Sequence, residues 1–196
     1  MEVDLDSDHN LSLLSPTKPI KERCNLCNCI LSSNFDAFSL HQIYFLCCGA
    51  LLCSACVENS VINGRLKDCC MFCNTTINKS DGDKLNLCMD KASEINPDPK
   101  ALCVLADCHL RGIWGLAPDI GKAIHLWNEA IQYGSSTASF NMGVLYCHGS
   151  KEANIDKDIG KAFSYFTYAA EGGNKEARRL INKAKAAAAC SLLVIS

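Results

Sequence analysis

Four groups of cysteine stand between positions 24 and 73: Cys24-x2-Cys27, the adjacent pair Cys47-Cys48, Cys53-x2-Cys56 and Cys70-x2-Cys73. A Cys-x2-Cys step lets one tight turn present two sulfurs to one metal at about 2.3 Å, and four thiolates complete the tetrahedron that Zn²⁺ accepts in a closed structural site. Eight thiolates in this order suffice for two zinc ions per chain. Two other chemistries use paired cysteines. A disulfide framework needs an oxidising compartment and usually a secretory signal, whereas the N-terminus MEVDLDSDHN is acidic and no apolar stretch with a cleavage site follows it. Thiol–disulfide exchange through Cys53-Ser54-Ala55-Cys56 needs a low-pKa thiolate at a helix N-terminus, and it would account for one pair rather than four. A reducing, intracellular setting, cytoplasmic or nuclear, is expected.

Cys29, Cys69 and Cys88 are left over from the eight and are expected as free thiols, with Cys69 able to exchange for a ligand. His41 stands beside the apolar stretch Ile43-Tyr44-Phe45-Leu46, where a histidine is more often a packing or surface residue than a ligand. Eleven of the fifteen cysteines fall from Cys24 to Cys88, so 196 residues divide into a cysteine-rich part and a cysteine-poor part.

The formal charge is −2, and eight bound thiolates with two Zn²⁺ make it more negative. Nucleic-acid binding draws its affinity from Lys and Arg contacts to phosphate, and no long basic stripe is present. Protein partners are expected instead. The longest apolar run, residues 186–195, is about half of the roughly 20 residues a membrane span needs, so no membrane partner is expected.

The elements that must position the cysteines come next. Residues 1–22 carry acidic residues, serines and prolines without periodicity and suggest a disordered leader. Residues 79–97 include Asp81-Gly82-Asp83 and end at Pro97-Asp98-Pro99, as a linker would, with a short helix near 85–92. Asp98 can cap the helix that follows, and Pro99 suits its first position.

From Ala101 onward the chain repeats itself. Asp119-Ile120-Gly121-Lys122-Ala123 returns 39 residues later as Asp158-Ile159-Gly160-Lys161-Ala162. Ala101-x3-Leu105-Ala106-x2-His109-x2-Gly112 returns 37 residues later as Ala138-x3-Met142-Gly143-x2-Tyr146-x2-Gly149, which puts the two-residue difference in the loop between Gly149 and Asp158. The pattern predicts helices over 100–111, 119–133, 137–148 and 158–171, with another from Lys175. Gly112, Gly134, Gly149 and Gly173 fall where these should stop. Small residues at Ala106/Gly143, Ala123/Ala162 and Ala130/Ala169 would let paired helices approach. Leu105, Ile124, Trp127, Met142, Phe163 and Phe166 supply bulk. An ordinary helical bundle is the simpler alternative to a solenoid.

The pattern Gly143, Tyr146, Gly149, Asp158, Lys161-Ala162, Ala169-Ala170, Gly173 resembles the Sel-one-like repeats, relatives of the tetratricopeptide repeats. The first copy has Ala106, His109 and Ala130-Ile131 at the matching places. The resemblance covers about residues 98–189 and implies an adaptor that binds proteins on a helical surface and performs no chemistry there.

The cysteine-rich part resembles an all-cysteine RING finger. That resemblance implies a cross-brace in which Cys24, Cys27, Cys53 and Cys56 share one zinc while Cys47, Cys48, Cys70 and Cys73 share the other, with residues 57–62 forming a short helix. It also implies recruitment of a ubiquitin-conjugating enzyme, with Leu26, Leu66 and Met71 at the partner-binding positions. Met71 stands where the family has a proline, and Asn74 where it often has an arginine. The expected architecture is a small zinc-stabilised α+β RING-like cross-brace (23–78), a linker (79–97), an all-α helical-repeat, or α-solenoid, domain (98–189) and an apolar tail (190–196). Two functions are compatible with it: a ubiquitin-protein ligase or ligase adaptor, and a non-catalytic zinc-stabilised interaction scaffold. No catalytic residues are expected; Asp119 suits a cap, and His125 lies between Ile124 and Leu126 on a repeat helix.

Overall fold

The structure is a computed structural model that describes residues 18, 19, 21, 23–29, 31, 42–64, 69–76 and 80–193. The expected leader lies almost wholly outside these residues, as do His41 and Leu66.

Strand β1 (Gln42–Tyr44) pairs antiparallel with β2 (Leu51–Cys53), Ile43 standing opposite Leu52. Between them Phe45 N donates to Ala50 O at 2.8 Å, while Cys48 N and Gly49 N both donate to Phe45 O at 3.2 and 2.7 Å. The loop is therefore a tight turn carrying Cys47 and Cys48 at its tip. It closes through Gly49, whose φ of 76° lies in the left-handed region that favours glycine. Strand β2 runs directly into α1 (Ser54–Ile62), which buries Val57 and Ser60.

Helix α2 (Asp81–Ala92) begins one turn before the expected short helix. Ser80 explains the start: its hydroxyl accepts from Asp83 N at 3.2 Å and donates to Asp83 Oδ2 at 2.7 Å, and Asp81 and Asp83 add negative charge to the first turn. A linker does not describe this segment, because α2 packs on the next helix and its Cys88 is fully buried.

The repeat helices are α3 (Pro99–Arg111), α4 (Ile120–Gln132), α5 (Ser136–His148), α6 (Ile159–Glu171) and α7 (Lys175–Leu193). They match the periodic pattern closely because their ends are set by local chemistry. Asp98, Asp119, Ser135, Asp158 and Asn174 each accept a backbone N–H of the following first turn at 2.8–3.2 Å. Gly112 ends α3 at φ 65°, ψ 48°, and an added Cβ there would stand 2.6 Å from Pro118. The two copies return in the same way. Asp119 N donates to His109 O at 2.7 Å, and Asp158 N to Tyr146 O at 2.9 Å. The two extra residues of the second copy are absorbed in a turn over 151–154, flanked by the bridge between Ser150 and Ile155.

Packing follows chain order, α3 on α4, α4 on α5, α5 on α6 and α6 on α7. The small residues act as spacers: a Cβ on Gly143 would stand 2.7 Å from the Phe166 ring, and its counterpart Ala106 is fully buried. Two of the expected core residues behave differently. Phe163 is 39% exposed on the outer side of α6, and Leu105 faces the other way, toward the cysteine-rich half.

Helix α3 is the reason for that second direction. Residues 101–108 are all buried. Leu102, Cys103 and Ala106 join the core of the repeats, whereas Ala101, Val104, Leu105 and Cys108 join a second core with Leu31, Phe45, Leu51, Leu52, Val57 and Cys88. A helix buried on opposite sides has two partners. Among the described residues no helix is long and apolar enough to cross a membrane.

Candidate metal centres

Two groups of four sulfurs result from this arrangement. Cys24, Cys27, Cys53 and Cys56 lie within 4.8 Å of one another, and so do Cys47, Cys48, Cys70 and Cys73. The first and third cysteine groups of the sequence thus meet, as do the second and fourth, and the two sets interleave along the chain. Cys27 Sγ is 3.7 Å from Cys53 Sγ, and Cys48 Sγ is 3.7 Å from Cys70 Sγ. A tetrahedron with bonds of about 2.3 Å has edges of about 3.8 Å, whereas a disulfide requires about 2.05 Å. The donor type, number and spacing fit Zn²⁺, so both groups could hold it.

The turns that aim the sulfurs are built twice. Cys24 N donates to Cys29 O at 3.0 Å and Asn28 N to Cys24 O at 2.9 Å; in the other copy Cys70 N donates to Thr75 O at 2.7 Å and Asn74 N to Cys70 O at 2.8 Å. Asn28 and Asn74 take φ 59° and 58°, a left-handed conformation that asparagine tolerates better than most side chains. The same asparagine, four residues after the first cysteine of each turn, was a usable sequence signal. Asn25 ties the first turn to β2, its N–H donating to Leu51 O at 2.8 Å and its Oδ1 accepting from Leu51 N at 2.7 Å. Cys53 ends β2, and Cys56 follows in the first turn of α1.

Charge explains why such groups require a cation. Two thiolates about 4 Å apart repel by about 4 kcal/mol at an effective dielectric constant of 20, so four cannot ionise together unaided. Burial pushes the Cys56 and Cys47 thiols up, and neighbouring cluster sulfurs push them further. Burial also raises Cys24, but backbone N–H groups of Cys27, Cys53 and Leu26 outweigh it and hold that thiol at about 6. Cys73 is held at about 6 by the Thr75 hydroxyl, whose Oγ1 lies 3.2 Å from the sulfur and can donate to the thiolate. A divalent ion removes the conflict by stabilising all four thiolates at once.

The partner-binding candidates are distributed unevenly. Leu26 stands 47% exposed on the first turn. Met71 is half-buried, with its sulfur accepting from Ser60 Oγ on α1 at 3.9 Å. Phe72, overlooked in the sequence, occupies the place in the second turn that Leu26 has in the first; it is 40% exposed and meets Phe45 edge-on at 5.7 Å.

Tyr44 and Asp98 were also missed. The Tyr44 hydroxyl donates to Asp98 Oδ2 at 2.7 Å while Asp98 Oδ1 accepts from Lys100 N at 3.0 Å, so the cap of α3 also anchors the hairpin that carries Cys47 and Cys48. Gly49 permits the approach, since a Cβ there would stand 3.3 Å from Asp98 Oδ2. Cys88 adds a second tie by donating to Ala101 O at 3.2 Å, its thiol pushed up to about 12 by burial.

Residues 99–134 and 136–174 match the family model of the Sel1 repeat. These limits coincide with the two helix pairs α3–α4 and α5–α6, so the helical part carries two Sel1 repeats. No curated protein and no solved structure matches the chain.

Proposed function

We propose that the cysteine-rich half is a RING-like module holding two zinc ions and that the chain acts as a ubiquitin-protein ligase or ligase adaptor. In this account the module recruits a charged ubiquitin-conjugating enzyme and the Sel1 repeats bind the substrate. The observation that carries it is the interleaved meeting of the first cysteine group with the third and the second with the fourth, which is the ligand order of a cross-brace. The chain supplies no nucleophile in such a role. Leu26 offers an exposed apolar contact, and Leu66 is the second proposed contact. Bound zinc would hold the two turns and the α1 start in one rigid arrangement.

A specific observation also favours a non-catalytic scaffold. Met71 replaces the family's proline and is half-buried against Ser60, and Asn74 replaces the arginine and is committed to a left-handed turn. Discharge of ubiquitin from a panel of loaded conjugating enzymes separates the two. The ligase account predicts accelerated discharge with at least one enzyme, lost in Leu26→Ala while both zinc ions remain. No acceleration across a broad panel would leave the scaffold account.

A further inference from the structure

The two metal centres are matched in their ligands and differ beside them. In the second turn, Thr75 lies two residues after Cys73 and brings its hydroxyl to 3.2 Å from that sulfur. The first turn has the same backbone hydrogen bonds and the same left-handed asparagine, and Cys29 occupies the place of Thr75. Cys29 closes this turn two residues after Cys27, its carbonyl accepting from Cys24 N at 3.0 Å. The first turn therefore carries a third cysteine beside the two that belong to the group of four. Cys27 and Cys29 are both exposed.

We propose that the first centre is a hydroperoxide-sensitive site, in which Cys27 is the sulfur oxidised and Cys29 is the thiol that resolves it and releases the metal. This rests on the zinc assignment made above. A ligand sulfur is a thiolate, the nucleophilic form, and an accessible thiolate beside a resolving cysteine is the arrangement that redox-responsive thiols share. The thiolate of Cys27 attacks the terminal peroxide oxygen. The O–O bond breaks, alkoxide or hydroxide departs and takes a proton from water, and Cys27 becomes a sulfenic acid that no longer ligates. The Cys29 sulfur then attacks the Cys27 sulfur. An S–S bond forms, the S–O bond breaks, and the hydroxyl leaves as water with the Cys29 proton. The two sulfurs lose two electrons in total and the peroxide gains them.

Two residues span at most about 7 Å even when extended, and the turn at Asn28 shortens this toward the Cα separation of roughly 4.4–6.8 Å that a disulfide bridges. At the second centre the same place holds a hydroxyl, which cannot form the S–S bond.

Full-length protein loaded with zinc tests the site. Hydrogen peroxide is added, zinc is counted by native mass spectrometry over time, and sulfur pairing is read by peptide mapping. The proposal predicts loss of one of the two ions ahead of the other, with a Cys27–Cys29 disulfide in the one-zinc species and recovery of the ion after thiol reduction with added zinc. Cys29→Ser should keep both ions and lose the early phase, and Thr75→Cys should give the second centre an early phase of its own. Simultaneous loss of both ions, a first disulfide that omits Cys29, pairing through Cys69, or an unchanged early phase in Cys29→Ser would overturn it. A chain that binds no zinc before peroxide is added would overturn the zinc assignment itself.

Discussion

Tyr44 and Asp98 form a contact on which two parts of the molecule depend, since one carboxylate caps α3 and accepts from the hairpin that carries Cys47 and Cys48. A hydrogen bond to a charged group contributes about 1.5–3 kcal/mol. Tyr44→Phe keeps the ring and removes only the donor, so chemical denaturation should show a loss of that order while zinc content stays at the wild-type value. An unchanged midpoint would mean the contact contributes nothing to stability. At this scale, the cysteines that converge in two groups of four stood out in the sequence because Cys-x2-Cys spacing is local. The partnership of Tyr44 with Asp98, 54 residues away, did not, because neither residue belongs to a motif. Cys29 was seen as a spare thiol for the same reason: its neighbours are decided by the turn at Asn28 and by the return of β2. Phe163 was misplaced because an apolar residue at a helical position does not say how wide the buried stripe is.

The helices were far easier to foresee than their partners. Caps and terminal glycines act within a few residues, so the ends of α3 to α6 fall within about one residue of those expected from sequence. Helix α2 was underestimated because its stability comes from burying Cys88 against α3, a contact with no local signature. A signal did exist in residues 101–108, which offer only Asp107 as a polar residue and so leave no solvent face for an amphipathic helix. Repeat packing can be tested through the spacer positions. Gly143→Ala places a methyl 2.7 Å from the Phe166 ring, and overpacking of this kind costs about 1–3 kcal/mol. Alanine is otherwise the better helix former by about 1 kcal/mol. A lowered thermal midpoint therefore shows that steric crowding between α5 and α6 outweighs propensity, while a raised midpoint would mean that the helices do not approach so closely.

The molecule as a whole is organised around α3, which belongs to the first Sel1 repeat on one side and to the core of the cysteine-rich half on the other. The expected linker is instead α2, wedged against that shared helix. Small cysteine-rich modules cannot stabilise themselves by burial alone and depend on metal for folding free energy. Here part of the burial is supplied by the repeats, so the cysteine groups and the repeat helices are mechanically joined rather than tethered. The central claim is that eight cysteines form two closed zinc centres. Native mass spectrometry on full-length protein, purified without chelators, tests it most directly. Two zinc ions per chain are predicted, with fewer in Cys53→Ser and in Cys70→Ser, one ligand taken from each centre. One ion or none in the wild-type chain would contradict the account.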